Sequence, residues 1–132
     1  MTTNIDFSSK KALLVEDNEM NVMLFSIFLR RLGIQFKVAN DGEDALVLIN
    51  ENHFDIILTD IHLPKLWGDE MTKIIRKLPD TLKATTPIVA LTASLDSADT
   101  SPYLEAGINE VIQKPFTEKQ LVAALSKYLA EG

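Results

Sequence analysis

Residues 55–64 read DIILTDIHLP, and this stretch decides the fold. The apolar run at 56–58 shows no alternation between apolar and polar residues, so it does not fit a strand with one face in water. Continuous apolar runs of this length are typical of parallel sheets that carry helices on both faces. Asp60 follows the run almost at once. The stretch therefore predicts a buried parallel strand that ends at an aspartate.

Similar short runs recur outward from this stretch and alternate with segments of helical periodicity. We predict strands over residues 11–15, 35–39, 56–60, 87–92 and 110–113. We predict helices over residues 20–32, 42–51, 68–77, 97–106 and 118–130. With right-handed crossovers, this order predicts an α/β fold in a single domain, a doubly wound (βα)5 arrangement around a five-stranded parallel sheet.

The composition indicates an ordinary globular domain. The chain has 132 residues, of which 46% are hydrophobic and 24% charged, and it carries a net charge of -6. An acidic chain is a poor match for nucleic acid or an anionic membrane, so we expect neither as a direct partner. The absence of cysteine excludes disulfides and thiolate zinc sites and fits a soluble, cytoplasmic protein. We expect a flexible N-terminal segment over 1–9 and one folded domain over 10–130.

Polar side chains stand where four of the predicted strands end. Glu16 and Asp17 follow the first strand, Asp60 ends the third, Thr92 ends the fourth and Lys114 follows the fifth. The carboxyl ends of parallel strands share one edge of a sheet, so we expect these residues to converge.

Three carboxylates in one place repel one another unless a hard cation such as Mg²⁺ lies between them. A carboxylate beside Mg²⁺ can attack a phosphoryl group, and Asp60 is the best candidate nucleophile. Lys114 would supply positive charge to the phosphoryl oxygens and Thr92 a hydroxyl. Pro64 fixes a turn that leaves the backbone carbonyl of His62 available to the metal.

Taken singly, each of these residues has a plainer interpretation. The acidic pair fits a solvated turn, and Asp17-Asn18 fits a simple cap of the first helix. Asp60 fits a turn residue, Lys114 an exposed surface lysine, and Thr92 a residue chosen for strand propensity. Coincidence at four strand ends is much less probable than coincidence at one, so the combination favours a phosphoryl site.

These motifs resemble the receiver domain of two-component response regulators, a flavodoxin-like family, from about residue 10 to 129. The matching segments are LLVEDN at 13–18, NDGEDAL at 40–46, DIILTDIHLP at 55–64 with Gly68, LTA at 91–93 and KPF at 114–116. The resemblance implies that Asp60 is the phosphoacceptor, that Glu16 and Asp17 bind Mg²⁺, and that Thr92 is the switch hydroxyl. It also implies that Lys114 contacts the phosphoryl group and precedes a cis peptide bond at Pro115.

By the same resemblance, the phosphoryl donor is a phosphohistidine on a histidine kinase or a histidine phosphotransfer protein. Such a domain is a signalling module that assists its own phosphorylation and dephosphorylation. The wording VEDNEMN at 15–21 and DIHLP at 60–64 looks most like receivers attached to hybrid histidine kinases. One alternative is a non-phosphorylated interaction module on this fold, although such modules tend to lose the acidic residues or the lysine. A phosphatase with an aspartyl nucleophile would need a second carboxylate where His62 stands.

Two departures from the family pattern concern output. Receivers commonly carry Tyr or Phe at the place of Val111, so the usual aromatic switch is absent. Pro102 falls within the predicted fourth helix and removes a backbone donor there unless it lies in the first turn. We hypothesise that output is weakened or altered through the face formed by the fourth predicted helix, the fifth strand and the fifth helix, which we call the output face. Val111 also fits a plain strand residue.

The first predicted helix has two apolar stripes, and only one of them can face the core. We expect the stripe of Met20, Met23, Leu24 and Ile27 to stay exposed and to dock a partner helix. A cover formed by the N-terminal residues 5–7, or self-association, would also explain an apolar stripe.

Overall fold

The computed structural model describes residues 7–92, 101–113 and 117–129. One sheet contains β1 (Lys11–Val15), β2 (Gln35–Ala39), β3 (Ile56–Thr59), β4 (Ile88–Thr92) and β5 (Glu110–Gln113). The helices in this part of the chain are α1 (Glu19–Arg31), α2 (Gly42–Glu51), α3 (Gly68–Arg76), α4 (Thr81–Ala84), α5 (Ser101–Ala106) and α6 (Glu118–Leu129). The strands are parallel and lie in the order β2-β1-β3-β4-β5. The predicted doubly wound five-stranded fold is confirmed.

Neighbouring residues of each strand enter different hydrophobic clusters on the two faces of the sheet. Leu13 of β1 belongs to a cluster with Met71 of α3, which we call the α2–α3 core. Leu14 belongs to a second cluster with Phe25 of α1 and Leu125 of α6, the α1–α6 core. Since both faces are covered, neither face of a central strand needs polar residues. This explains the continuous apolar runs in the sequence.

The element boundaries differ from the prediction in ways that have physical causes. β3 ends at Thr59, which leaves Asp60 in the loop, and β4 begins at Ile88 because Pro87 has no N–H to give to a sheet. α1 begins one residue early, because the side chain of Asn18 accepts a hydrogen bond from the Asn21 amide at 3.0 Å and caps the helix. Residues 97–100 and 130 of the predicted helices lie outside the described part.

The core begins before the predicted domain boundary. Phe7 is buried in the α1–α6 core, and its carbonyl oxygen accepts a hydrogen bond from the Lys10 amide at 2.9 Å. The division into a flexible segment over 1–9 and a domain over 10–130 stays a prediction, and residues 1–6 lie outside the described part. Among the described helices, none has both the length and the apolar character needed to cross a membrane.

Candidate functional site

Three carboxylates meet at the carboxyl edge of the sheet, between β1 and β3. Val15 pairs with Thr59 across these two strands, so the residues that follow them leave the sheet side by side. Oxygen atoms of Glu16, Asp17 and Asp60 lie within 4.8 Å of one another. In open α/β sheets this edge, where the strand order reverses, is the usual place for ligands. The structure therefore brings together the three acidic residues singled out in the sequence.

The first two carboxylates lie in different environments. Glu16 is buried, and its Oε2 accepts a hydrogen bond from the Asn18 amide at 3.1 Å. Asp17 is exposed in the turn that leads to α1. The capping of α1 expected from the Asp17-Asn18 pair is confirmed, and the side chain that makes it is that of Asn18. Asp17 instead lines an open cleft with Glu16, Asp60 and residues 18–21.

The backbone also fixes the third carboxylate. The Asp60 amide donates to the Val15 carbonyl oxygen at 3.0 Å. Its Oδ1 accepts hydrogen bonds from the amides of Ile61 at 2.7 Å and His62 at 3.3 Å. Gly68, the first residue of α3, packs so closely that a Cβ there would lie 2.4 Å from the Asp60 carbonyl oxygen. The start of α3 therefore confines the backbone that carries Asp60.

The loop between β3 and α3 contains a strained turn that the sequence did not predict. The Leu66 amide donates to the Pro64 carbonyl oxygen at 2.7 Å, which closes a γ-turn around Lys65. Lys65 has φ +67°, a conformation that costs a non-glycine residue energy. A Cβ on Gly42 would lie 2.5 Å from the Leu66 carbonyl oxygen, so the first residue of α2 presses on this turn. The loop is enclosed between the starts of α2 and α3.

An ion pair joins this turn to α2. Lys65 Nζ lies 3.5 Å from Asp41 Oδ2, and Asp41 Oδ1 accepts a hydrogen bond from the Asp44 amide at 2.8 Å, which caps the helix. The hydrogen bond from the Asp44 backbone lowers the pKa of the Asp41 carboxyl from its ordinary value, and the nearby Lys65 charge adds to this against the opposing effect of burial. An aspartate before a helix start is a recognisable capping signal, but nothing in the sequence pairs it with Lys65.

Of the remaining predicted residues, the structure describes Thr92 and His62 but not Lys114 and Pro115. Thr92 is buried at the end of β4, two positions beyond Ala90, which pairs with Thr59, so it lies at the same sheet edge as Asp60. The His62 ring meets the Trp67 ring edge-on, with centroids 4.7 Å apart. Lys114 and Pro115 lie outside the described residues, so the lysine and the cis peptide bond stay predictions.

The exposed stripe of α1 matches the expectation from periodicity. The exposed fractions are 74% for Met20, 62% for Met23, 46% for Leu24 and 45% for Ile27. Phe25 and Leu29, from the other stripe, are buried in the α1–α6 core. Met20 also lines the acidic cleft, so the stripe begins beside the three carboxylates. Its proposed role in docking stays a prediction.

The chemistry of this cleft suits a hard divalent cation. Carboxylate and carbonyl oxygens are the ligands that Mg²⁺ takes, with water filling the remaining positions. The three clustered carboxylates supply such oxygens, and their mutual repulsion falls when a cation lies among them. The residues present therefore fit a Mg²⁺ site.

Comparison with known proteins assigns the family. Residues 12–126 match the model of the response regulator receiver domain. The chain is 36% identical over 119 residues to transcription factor SKN7 of Saccharomyces cerevisiae and 41% identical over 111 residues to the autoinducer 2 sensor kinase/phosphatase LuxQ of Vibrio vulnificus. These matches cover 90% and 84% of this chain but only 18% and 13% of the relatives. The chain thus spans less than a fifth of either relative.

Solved receiver domains have the same fold. The receiver domain of a sensor histidine kinase from Pseudomonas aeruginosa, with a magnesium ion in its active site cleft, has a TM-score of 0.84 and 34% identity over 92% of this chain and 98% of that chain. The Saccharomyces cerevisiae Ssk1 receiver domain, crystallised with the histidine phosphotransfer protein Ypd1, has a TM-score of 0.80 and 31% identity over 90% of this chain and 88% of that chain. The chain therefore belongs to the response regulator receiver domain family and is a phosphorelay receiver of two-component signal transduction.

Proposed function

We propose that this domain takes a phosphoryl group from a phosphohistidine donor onto Asp60 in a reaction that requires Mg²⁺. The observation that carries the proposal is the cluster of Glu16, Asp17 and Asp60 oxygens within 4.8 Å at the carboxyl edge of the sheet. The two backbone amides on Asp60 Oδ1 orient this carboxylate before any donor arrives. Such preorganisation lowers the cost of reaching the geometry for attack.

Each residue of the acidic edge has a separate role in the proposal. Glu16, Asp17, Asp60 and the His62 carbonyl would hold Mg²⁺. When bound, the ion supplies positive charge for the oxygens of the transferred phosphoryl group. Burial of Glu16 and the Asn18 amide on its Oε2 keep that carboxylate at one place in the cleft.

Two further side chains complete the proposed site. We assign Thr92 as the hydroxyl that meets the phosphoryl group, supported by its burial at the same sheet edge. We assign Lys114 as the cation that contacts it, after strand β5 and before a cis bond at Pro115. The same residues would assist hydrolysis of the aspartyl phosphate, so the domain would limit its own signal without acting on another substrate.

The proposed partner is a histidine kinase or a histidine phosphotransfer protein. The similarity to a receiver crystallised with Ypd1 and to kinase receivers supports this class of partner. We assign the exposed stripe of α1 as its docking surface, because the stripe begins at the cleft. Residence in the cytoplasm is part of the proposal and is supported by the cysteine-free sequence.

Intact-protein mass after incubation with acetyl phosphate and Mg²⁺ tests the chemistry. We expect one phosphoryl group on the wild-type chain and none on Asp60→Asn or in the presence of a chelator. Asp44→Asn is the matched control, since Asp44 is an exposed carboxylate on α2 outside the acidic cluster, and we expect it to be phosphorylated normally. A folded wild-type chain that accepts nothing from acetyl phosphate or a phosphohistidine donor would overturn the proposal in favour of a non-phosphorylated interaction module.

A further inference from the structure

Lys65 occupies a backbone conformation that glycine would adopt more easily. Its φ of +67° forms the centre of the γ-turn closed by Leu66 and Pro64. A γ-turn with positive φ is the rarer and more strained of the two forms. Non-glycine residues with unfavourable φ values are found mainly where the surrounding structure or the function requires their side chains. Within the described part of the chain, the Lys65 side chain forms an ion pair with Asp41.

Asp41 is a fixed partner for that lysine. Its side chain is only 11% exposed, while that of Lys65 is 61% exposed, so the pair lies at the boundary of the solvent. The Asp44 amide holds the second carboxylate oxygen as the cap of α2. The lysine therefore loses freedom on pairing, whereas the aspartate is already in place. This arrangement can hold the turn against the first residue of α2.

We propose that the Lys65–Asp41 ion pair is a positioning pair that holds the strained γ-turn and so sets the affinity of the acidic edge for Mg²⁺. The turn begins one residue after Leu63, and the backbone before it carries the His62 carbonyl that we assign to the metal. The same loop packs on the other side through the Gly68 amide, which donates to the Ile61 carbonyl oxygen at 2.8 Å. The inference rests on the proposed function, because it assumes the Mg²⁺ site.

The substitution Lys65→Met separates the inference from simple electrostatics, because the two predict opposite changes in Mg²⁺ affinity. Removal of a positive charge near a cation site should strengthen Mg²⁺ binding if charge alone matters. If the pair holds the turn, the variant keeps the strained positive φ at residue 65 but loses the ion pair that restrains it. Mg²⁺ binding should then be about twofold to fivefold weaker, the range expected for one partly exposed ion pair. The direction of the change therefore separates the two explanations.

Lys65→Gly and Asp41→Asn complete the set. Glycine adopts positive φ without strain, so Lys65→Gly should keep the turn and bind Mg²⁺ more tightly than Lys65→Met. Asparagine still caps α2 but lacks the charge, so Asp41→Asn should weaken Mg²⁺ binding as Lys65→Met does. The double variant Asp41→Asn with Lys65→Met should be no weaker than either single variant, because both remove one interaction.

The measurement is a Mg²⁺ titration followed by the fluorescence of Trp67, the one tryptophan of the chain, and repeated by calorimetry. Hydrogen exchange of the Leu66 and Gly68 amides in metal-free protein adds a readout of the turn itself, with faster exchange expected in Lys65→Met than in Lys65→Gly. If the wild-type chain binds Mg²⁺ and accepts a phosphoryl group but Lys65→Met binds Mg²⁺ equally well or more tightly, the inference is overturned and the proposed function stands. A wild-type chain that does neither overturns the proposed function first.

Discussion

Gly68 lies where α3 packs against the backbone of the proposed phosphoacceptor. A Cβ at this position would come 2.4 Å from the Asp60 carbonyl oxygen and 3.1 Å from the Ile61 Cα, both of them backbone atoms that cannot rotate away. We expect Gly68→Ala to lower the free energy of unfolding by about 1–3 kcal/mol, the usual cost of overpacking, and to slow phosphorylation by acetyl phosphate. Urea denaturation and intact mass measure the two effects.

Gly33→Ala is the matched control for this prediction. Gly33 has φ +76°, and a Cβ there would meet no other atom within 4 Å, so the substitution strains the backbone without touching the site. We expect it to cost about 1 kcal/mol of stability and to leave phosphorylation of the folded protein unchanged. Equal phosphorylation of the two glycine variants would contradict the role given to Gly68.

The charge on Asp41 should make part of the stability depend on pH. The pKa of this carboxyl in the folded state is lowered from 3.8, so in acid the unfolded chain binds more protons than the folded one. The contribution is therefore fully present above the unfolded value and is lost as the pH falls through the folded pKa. We expect wild type to exceed Asp41→Asn by about 0.5 kcal/mol at neutral pH, from the helix dipole and Lys65.

Urea denaturation of both proteins between neutral pH and about pH 3 checks this expectation. The difference between them should shrink as Asp41 becomes protonated. A difference that is the same at both ends of the pH range would show that the Asp41 charge contributes nothing.

Among the secondary-structure elements, α3 is tied to its neighbours by one side chain. Arg76 donates through Nε and Nη2 to the Gly107 carbonyl oxygen at 3.1 and 2.8 Å, and through Nη1 to the carbonyl oxygens of Ala84 at 2.9 Å and Thr86 at 2.7 Å. Nη2 also donates to Asn109 Oδ1 at 2.8 Å. Partial burial lowers the pKa of this guanidinium. The last turn of α3 is therefore bonded to the ends of α4 and α5.

We expect Arg76→Ala to lower the free energy of unfolding by about 2–4 kcal/mol, because it leaves several partly buried carbonyl groups without their donor. Arg76→Lys should recover only part of this, since an ammonium cannot reproduce the planar arrangement of five donors. Lys73→Ala, an exposed cation on the same helix, should change stability by less than about 0.5 kcal/mol. Urea denaturation of the three variants would contradict the prediction if all behaved alike.

The exposed stripe of α1 is also tested at the level of a single helix. Met23→Glu with Ile27→Glu should leave the fold and phosphorylation by acetyl phosphate unchanged, because both side chains face solvent. Transfer from a phosphohistidine protein should fall at least about tenfold, since apolar anchors dominate such interfaces. Leu82→Glu, which places one glutamate at an exposed leucine of α4 away from the stripe, is the control. Unchanged transfer to the α1 variant would reject docking at this face.

α4 shows where periodicity fails as a guide. Four residues are too few to display a helical repeat, so the sequence did not predict this helix. Its one signal is Asp80, whose Oδ1 accepts hydrogen bonds from the amides of Leu82 at 3.0 Å and Lys83 at 3.3 Å. The longer elements were predictable because each carries a full stripe of core residues.

On the scale of the whole molecule, Val111 bears on how phosphorylation would change the output face. This residue is half-buried and packs against the α2–α3 core. Because it is a valine, it has no aromatic ring to move between two positions. We expect small differences in backbone amide shifts between the phosphorylated and unphosphorylated forms over residues 101–111. Heteronuclear NMR of the domain with and without a phosphoryl donor measures them, and large shifts there would refute a weakened output face.

The sequence predicted the molecule best where one strand or helix decides the outcome. Parallel strands with continuous apolar runs imply the two-faced sheet, and the sheet in turn places Glu16 and Asp60 side by side. Contacts between distant segments were not predictable in this way. The pairing of Lys65 with Asp41 depends on a positive φ that lysine does not signal. The partners of Arg76 come from two separate places, the end of α4 with the residues before β4 and the connection between α5 and β5.

The exposed stripe of α1 has a consequence for how such domains diverge. Its four side chains contribute to neither core, whereas the carboxylates beside them belong to the strand ends. Substitutions in the stripe therefore carry little penalty in folding or in phosphoryl chemistry. With the docking role that we propose for the stripe, two duplicated copies of this domain would acquire different donors through a few surface changes while keeping the same reaction.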